Sequence, residues 1–296
     1  VVGPVGQTAQ NAQDLSGLWV LTGLGSRGLT LSLLCGELLA ARLHGLPAFV
    51  HESNAIPGRA NRLAAKFATK VLLGFEEAEA RFPGAACVMT GTPVRKNLGQ
   101  PMDQKAARRA FHLDPERKTL LVMGGSQGAA GINQLLFKTA PLLAKADLQI
   151  IHLTGDRDDR LAAANYQREE IPHFVSPFHH RMEEAYSAAD LAISRAGASS
   201  LSELSQFALP SILIPYPFAT DDHQSANAGI YVRAGASELL TENATNADAL
   251  SALISNLLSD DARRGRMATA AHRIPPASAA ENVADVMEAA VKEAAR

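Results

Sequence analysis

Cysteines, aromatic side chains and net charge are all scarce in this sequence. Cys35 and Cys87 are its two cysteines. Neither stands in a C-x-x-C or Cys/His spacing, which argues against zinc and leaves buried thiols in a reducing compartment as the plain reading. Aromatics make up 5% of the chain, few for a surface that stacks on bases. The formal net charge is -2, so no global basic field points to nucleic acid. A long apolar run is also missing. The stretch 29–43 contains Glu37 and Arg42 and falls short of the roughly 20 apolar residues a spanning helix needs. Residues 1–16 show no basic start followed by an apolar run, unlike a secretory leader. These absences predict a cytoplasmic protein with no nucleic-acid partner, free to lie against a membrane surface.

What is present is enough for two domains. The chain has 296 residues, 47% hydrophobic and 20% charged, the balance of a soluble globular protein with a core in each half. After the lead-in, Leu18 to Thr22 reads as a strand, followed by a glycine loop and a helix to about His44. A strand at Ala48 to His51, a helix from Gly58 to Lys70 and an apolar run at Lys70 to Phe75 come next. Gly91-Thr92-Pro93-Val94-Arg95 breaks the pattern and reads as a hinge. Further strands are expected at Thr119 to Met123, Leu148 to Leu153, Phe174 to Phe178, Leu191 to Ser194, Ser211 to Pro215 and Glu238 to Thr241, with helices between. An Ala/Glu-rich helix closes the chain from about Ala279 to Ala295. Strand and helix patterns in alternation are the mark of βαβ units and parallel sheets. Two such halves around a hinge predict a cleft, with ligands at the carboxyl ends of the strands.

Two loops stand out. Gly124-Gly125-Ser126-Gln127-Gly128-Ala129 follows a strand and opens a helix. Glycines allow close backbone approach, and a helix start offers unpaired N–H groups to anionic or polar ligands; an ordinary tight turn reads the same way. Arg195-Ala196-Gly197-Ala198-Ser199-Ser200-Leu201-Ser202-Glu203 repeats the arrangement. Small residues there suit a diphosphate. A carboxylate would repel a pyrophosphate, so a functional Glu203 should accept hydrogen bonds from sugar hydroxyls. The local alternative is a capping box, Ser200-x-x-Glu203.

Asp221-Asp222-His223-Gln224-x-x-Asn227 reads as a helix start with acidic residues in its first turn, since two adjacent carboxylates make a poor metal site. Gln224 and Asn227 share one helix face and could reach one polar ligand. His51-Glu52-Ser53-Asn54 ends a strand, where ligand contacts collect. Behind it, Arg59, Arg62, Lys66 and Lys70 recur every three or four residues, giving a basic helix face. That face is either solvated or turned to an anionic membrane.

Taken together, His51-Glu52-Ser53-Asn54-Ala55-Ile56-Pro57-Gly58-x-Ala60-Asn61, Gly91-Thr92-Pro93-Val94-Arg95, Gly124 to Ala129, Arg195 to Ala198 and Asp222-His223-Gln224-x-x-Asn227 resemble the MurG-type N-acetylglucosaminyltransferases, from about residue 45 onward. The resemblance implies a GT-B fold of two Rossmann-like α/β domains. It divides the chain into a partial acceptor- and membrane-side domain at 1–94, a UDP-GlcNAc-binding domain at 95–275, and a helix at 276–296 packing back toward the first. The implied activity moves GlcNAc from UDP-GlcNAc to the C4 hydroxyl of MurNAc on lipid I, giving lipid II with inversion, on the cytoplasmic face of the membrane as a peripheral protein. No cofactor or metal is implied, and the general base is not identified. The residues carried over for the donor are Asn54, Arg95, Ser126, Phe178, His179, Arg195, Ala198, Ser199, Ser200, Glu203, His223 and Gln224. Among them Glu203 is assigned to the ribose, Gln224 to the GlcNAc hydroxyls and the Phe178-His179 backbone to uracil. Arg59, Arg62, Lys66 and Lys70 are assigned to the anionic inner-membrane surface.

The N-terminal segment departs from that family. Its first glycine loop has no counterpart, and the second is replaced by Gly23-Leu24-Gly25-Ser26-Arg27-Gly28-Leu29-Thr30. Residues 17–44 are instead similar to the C-terminal flavin-contacting segment of FAD-dependent tRNA-modifying and D-amino-acid oxidoreductases. The departure implies donor binding with weak transfer. Gly23-x-Gly25-x-x-Gly28, with Glu52 closing the next strand, also fits a dinucleotide fingerprint. An NAD- or FAD-dependent oxidoreductase and a sugar-nucleotide-binding module without catalysis are therefore the alternatives.

Overall fold

The computed structural model describes residues 2–4, 19–21, 38, 40, 41, 43–95, 98–125, 129–274 and 278–294. The glycine loop at 23–28 and Ser126 lie outside them. The chain forms two units, Val1–Pro93 with Pro275–Arg296, and Val94–Ile274.

In the first unit, β1 (Val2–Pro4), β2 (Trp19–Leu21), β3 (Phe49–Glu52), β4 (Lys70–Leu73) and β5 (Cys87–Met89) form one sheet in chain order. β1 runs antiparallel to β2, and the other neighbours are parallel. The strand at Val2–Pro4 replaces the loose lead-in expected there; three residues are too short to show a period. Successive strand residues face opposite ways, and both faces of this sheet are covered. Phe49 and Leu72 pack with Met287 and Ala290 of the C-terminal helix (Ala279–Ala294). Val50 packs with Leu38, Ala48 and Ala64, and Val71 and Leu73 pack with Ala65, Ala78 and Phe82.

The basic helix is shorter than its pattern suggested. α1 spans Arg59–Ala64. Beyond it the backbone turns: Thr69 and Lys70 N–H groups both donate to the Ala48 carbonyl, and the Thr69 hydroxyl accepts from Ala48 N–H. Pairing with β3 wins over helix continuation, so Lys70 opens β4 rather than extending a helix face.

The second unit holds six parallel strands in the order β11-β10-β9-β6-β7-β8. They are β6 (Lys118–Met123), β7 (Leu148–Leu153), β8 (His173–Ser176), β9 (Leu191–Ser194), β10 (Ser211–Leu213) and β11 (Ser237–Leu239). The helices are α2 (Gln104–Ala110), α3 (Ala129–Leu143), α4 (Asp159–Arg168), α5 (Met182–Ala188), α6 (Ala198–Gln206), α7 (His223–Arg233), α8 (Ala247–Ser259) and α9 (Asp261–Arg273). Asp103, Asn246 and Asp260 cap α2, α8 and α9, each accepting one backbone N–H at 2.8 Å. Leu120, Leu121 and Val122 of central β6 are fully buried, and each such side chain contributes about 1.5–3 kcal/mol by leaving water. The strand order reverses between β6 and β9, which places a crevice at their carboxyl ends.

One buried polar network ties α3 to β7. His152 meets the Tyr166 hydroxyl at 2.8 Å and the Asn133 side-chain oxygen at 3.0 Å. Asn133 Nδ2 donates to the Thr154 carbonyl and to Asp158. Burial holds the His152 imidazole down to about 3, from 6.5. The folded value lies below the unfolded one, so the unfolded chain takes up the extra proton as pH falls. This group therefore has no effect above pH 6.5 and erodes stability below it. The loss expected on going from pH 6.5 to 4.5 is about 2–3 kcal/mol. Denaturant unfolding across that window checks it: His152→Gln should flatten the slope by about one proton, and an unchanged slope would show that His152 charges inside the fold.

Candidate functional site

The loops after β6 and β9 flank the reversal point of the second sheet. At the first, Gly125 takes a φ of +70°, a left-handed conformation that glycine adopts without strain. At the second, Gly197 in extended conformation leads into α6. The opening N–H groups of a helix have no partner within it, so the first turn at Ala198, Ser199 and Ser200 offers donors to an anion. Ser199 is exposed and Ser200 half-buried.

The expected capping box is not formed. Gly197, not Ser200, is the N-cap, with no side-chain capping bond. Glu203 sits further along α6, is buried, and reaches elsewhere. Its Oε1 accepts from Arg95 Nε at 2.9 Å and its Oε2 from Arg95 Nη2 at 3.1 Å, a bidentate pair. Oε2 also accepts from the Tyr186 hydroxyl at 2.6 Å. Arg95 is thus held on the carboxylate. Its side chain remains 41% exposed, against 9% for Glu203.

Arg195 ties three loops together. Its Nη1 donates to the Ile214 and Pro215 carbonyls beyond β10, and its Nη2 pairs with Glu242 beyond β11 at 2.5 Å. The guanidinium also lies over the Tyr216 ring at 5.4 Å. Gln224 and Asn227 share a face of α7, as their spacing requires, but they meet at a peptide. Gln224 Oε1 accepts from Ala196 N–H and Tyr216 N–H, while Asn227 Nδ2 donates to the Ala196 carbonyl. This clamp sets the backbone just ahead of α6. The structure thus corrects the shared-ligand reading in part: Asn227 holds the loop, and the Gln224 amide nitrogen is the group left to face a ligand.

His223 Nδ1 contacts the Thr220 carbonyl at 2.6 Å. Asp221 and Asp222 both have a φ of 52°, and Asp222 accepts from Ser225 Oγ instead of capping the backbone. His179 contacts Glu184 at 3.1 Å and packs at a tilt against the Phe111 ring. The Phe178 ring is exposed and packs edge-on against His180, while its carbonyl accepts from Ser176 Oγ.

In the first unit, His51, Glu52 and Asn54 knit loops. His51 bridges the Gly91 carbonyl and Ser53 Oγ. Burial lowers its pKa, against opposing effects of the Gly91 bond and the Glu52 charge. Buried Glu52 accepts from Asn54 N–H and Asn54 Nδ2 through Oε1, and from Gly58 N–H and Asn61 Nδ2 through Oε2. Both oxygens are committed to this turn, which removes the ribose-binding role that a dinucleotide fingerprint would assign to Glu52.

Exposed Arg62 and Lys66 line a groove of ≈ 740 Å³ with Arg81, Leu46, Phe67 and Phe82, while Lys70 stands apart from its lining. Arg59 is exposed at the start of α1. Arg81 comes from a separate 3-10 turn, so no spacing in the sequence pointed to it. Tyr186 and Glu242 escaped sequence reasoning for the same reason: each reaches its partner from another loop or helix.

Two family models match the chain: the glycosyltransferase family 28 N-terminal domain over residues 36–73, and its C-terminal domain over residues 119–288. Curated relatives include the UDP-N-acetylglucosamine–N-acetylmuramyl-(pentapeptide) pyrophosphoryl-undecaprenol N-acetylglucosamine transferases of Microcystis aeruginosa and Synechococcus elongatus. The first is 38% identical over 255 residues, covering 84% of this chain and 68% of the relative. The second is 40% identical over 264 residues, covering 86% and 71%. The crystal structure of Acinetobacter baumannii MurG superposes with a TM-score of 0.69 at 29% identity, over 85% of this chain and 70% of that one. The flavin-enzyme resemblance of residues 17–44 gains no support; both matched models are glycosyltransferase domains, and the N-terminal match begins at residue 36. With its largely parallel α/β units and these matches, the chain belongs to glycosyltransferase family 28 and is a MurG-type glycosyltransferase of GT-B fold.

Proposed function

We propose that this chain transfers GlcNAc from UDP-GlcNAc to the C4 hydroxyl of MurNAc on undecaprenyl-pyrophosphoryl-MurNAc-pentapeptide, converting lipid I to lipid II. The observation that carries the reading is the buried Glu203 carboxylate, held within α6 beyond an open helix start. A diphosphate suits the N–H groups of Ala198, Ser199 and Ser200, and a ribose diol suits Glu203. Arg195 supports that loop, and the Phe178-His179 backbone is assigned to the uracil and Arg95 and His223 to the donor; the roles of Ser126 and Asn54 are carried by the family motifs alone.

In the reaction the acceptor oxygen forms a bond to the anomeric carbon as the bond from that carbon to the diphosphate oxygen breaks. Configuration inverts, the hydroxyl proton leaves to a base, and UDP departs with the electron pair. Negative charge grows on the diphosphate, where oriented N–H groups lower the barrier. Ribose hydroxyls taking over the Glu203 oxygens would release Arg95 toward that charge. Titration of UDP-GlcNAc by calorimetry, beside turnover of a soluble lipid I analogue, tests the reading. Binding without turnover would favour a sugar-nucleotide-binding module.

Gln224 supplies a sugar-specific test. Gln224→Ala should cost UDP-GlcNAc about tenfold in affinity, the worth of one or two neutral hydrogen bonds, while UDP stays within about twofold. Equal losses for both ligands would mean that Gln224 acts only through the peptide it clamps.

The chain has no described helix long and apolar enough to cross a membrane. A peripheral place on the anionic cytoplasmic surface is supported by the groove of Arg62, Lys66 and Arg81, with Arg59 nearby in sequence and Leu43 and Leu46 exposed. Each cation near such a surface is worth about 1 kcal/mol. Flotation with anionic liposomes should fall steeply as salt rises; in Arg62→Ala/Lys66→Ala it should be weaker at low salt and less sensitive to salt. Flotation indifferent to salt and lipid charge would reject this placement.

A further inference from the structure

The geometry points to Tyr186 as the positioning residue that aims Glu203 at the nucleoside, and so as a determinant of ribose over deoxyribose. The inference rests on the reading of Glu203 as the ribose-binding group.

Tyr186 lies on α5, away from the loops that motifs single out. Its ring is buried and packs against Phe207 at 5.1 Å. A buried phenol needs a partner for its hydroxyl, and here that partner is Glu203 Oε2 at 2.6 Å, with Met123 Sδ at 3.7 Å. Burial pushes the phenol well above its usual range, with the Glu203 charge adding to the effect, so the hydroxyl stays protonated and donates.

The two donors to Glu203 are not equivalent. Arg95 is long and 41% exposed. Its guanidinium is open to solvent on one side, so ribose hydroxyls can take over the carboxylate while Arg95 turns its charge to water. The Tyr186 ring is wedged in the core and cannot follow a departing partner. When the ribose hydroxyls arrive, Tyr186 therefore remains as the fixed protein donor, holding Oε2 and hence the plane of the carboxylate. Two hydroxyls then have to match one preset orientation. A short charge-assisted bond of this type constrains direction as well as distance. Without it, Glu203 can rotate toward Arg95 and satisfy one hydroxyl as well as two.

The test compares UDP with 2′-deoxy-UDP by calorimetry. In the unmodified chain the 2′-hydroxyl should be worth about tenfold or more in affinity, the value of a hydrogen bond to a charged group. In Tyr186→Phe that ratio should collapse to within about threefold, while 2′-deoxy-UDP binding changes little and the ring still fills its place. Tyr186→Leu removes the same hydroxyl with a different shape and should give the same collapse; thermal unfolding reports whether each variant is folded. Glu203→Gln separates the two levels of the claim. If Glu203→Gln loses the ratio but folded Tyr186 variants keep it, Tyr186 is core packing and the inference falls. If Glu203→Gln also keeps the ratio, the ribose assignment itself fails and takes the inference with it.

Discussion

Glu203→Ala is expected to weaken UDP and UDP-GlcNAc alike, by about 2–3 kcal/mol or roughly 30- to 150-fold, because two hydrogen bonds to a buried charged acceptor are lost. The equality matters more than the size, since both ligands present the same ribose. In the structure Glu203 pairs with Arg95 at 2.9 and 3.1 Å. Binding in the unmodified chain must displace that pair, and the variant is spared the step. Arg95 is 41% exposed, so water takes up its charge on release and the step offsets only part of the loss. Removing the carboxylate also leaves the buried Tyr186 hydroxyl with Met123 Sδ as its remaining contact, a local cost of about 1–3 kcal/mol in stability. Calorimetric titration of both ligands, on protein shown folded by its thermal transition, reads the result. Unchanged UDP affinity would remove the ribose from Glu203.

Arg195→Ala should destabilise the second unit by about 3–5 kcal/mol, the usual effect of removing one partner from a buried ion pair. The Arg195 side chain is 6% exposed and Glu242 22%. With the guanidinium gone, Glu242 keeps its charge without its partner, and the Ile214 and Pro215 carbonyls lose their donor. These groups sit at the carboxyl ends of β9, β10 and β11, so the damage falls on the loops that frame α6. Donor affinity should drop with stability, because the backbone ahead of α6 keeps only the Gln224–Asn227 clamp. Arg195→Lys is expected to recover only part, since one ammonium cannot match a fork that reaches three acceptors. Urea unfolding with and without UDP measures both effects. A loss below about 1 kcal/mol would mean that water replaces the guanidinium at these acceptors.

Much of the fold was legible because its signals are local. Leu191–Ser194 and Leu148–Leu153 are buried apolar runs of strand length, and they emerge as β9 and β7 with the bounds read from the sequence. The switch from strand to helix periods predicted the parallel second sheet. Errors came where local signals compete with partners distant in the chain. Basic spacing extended a helix to Lys70, but ladder bonds from Thr69 and Lys70 to Ala48 end it early. A Ser-x-x-Glu pattern suggested a cap at Ser200, but the helix begins at Ala198 and Glu203 turns to Arg95.

By itself, the sequence determined the α/β class, the glycine and small-residue loops that follow β6 and β9, and the family to which their order belongs. These follow from periodicity and from the backbone freedom of glycine, both of which act over a few residues. Only the tertiary structure decided what the polar side chains at those loops do. Arg95 meets Glu203 across 108 residues, and Gln224 and Asn227 clamp the Ala196 peptide from 28 and 31 residues away. Such pairings arise because a buried donor or acceptor must find a partner wherever the packed chain supplies one, and no local pattern records which partner that is.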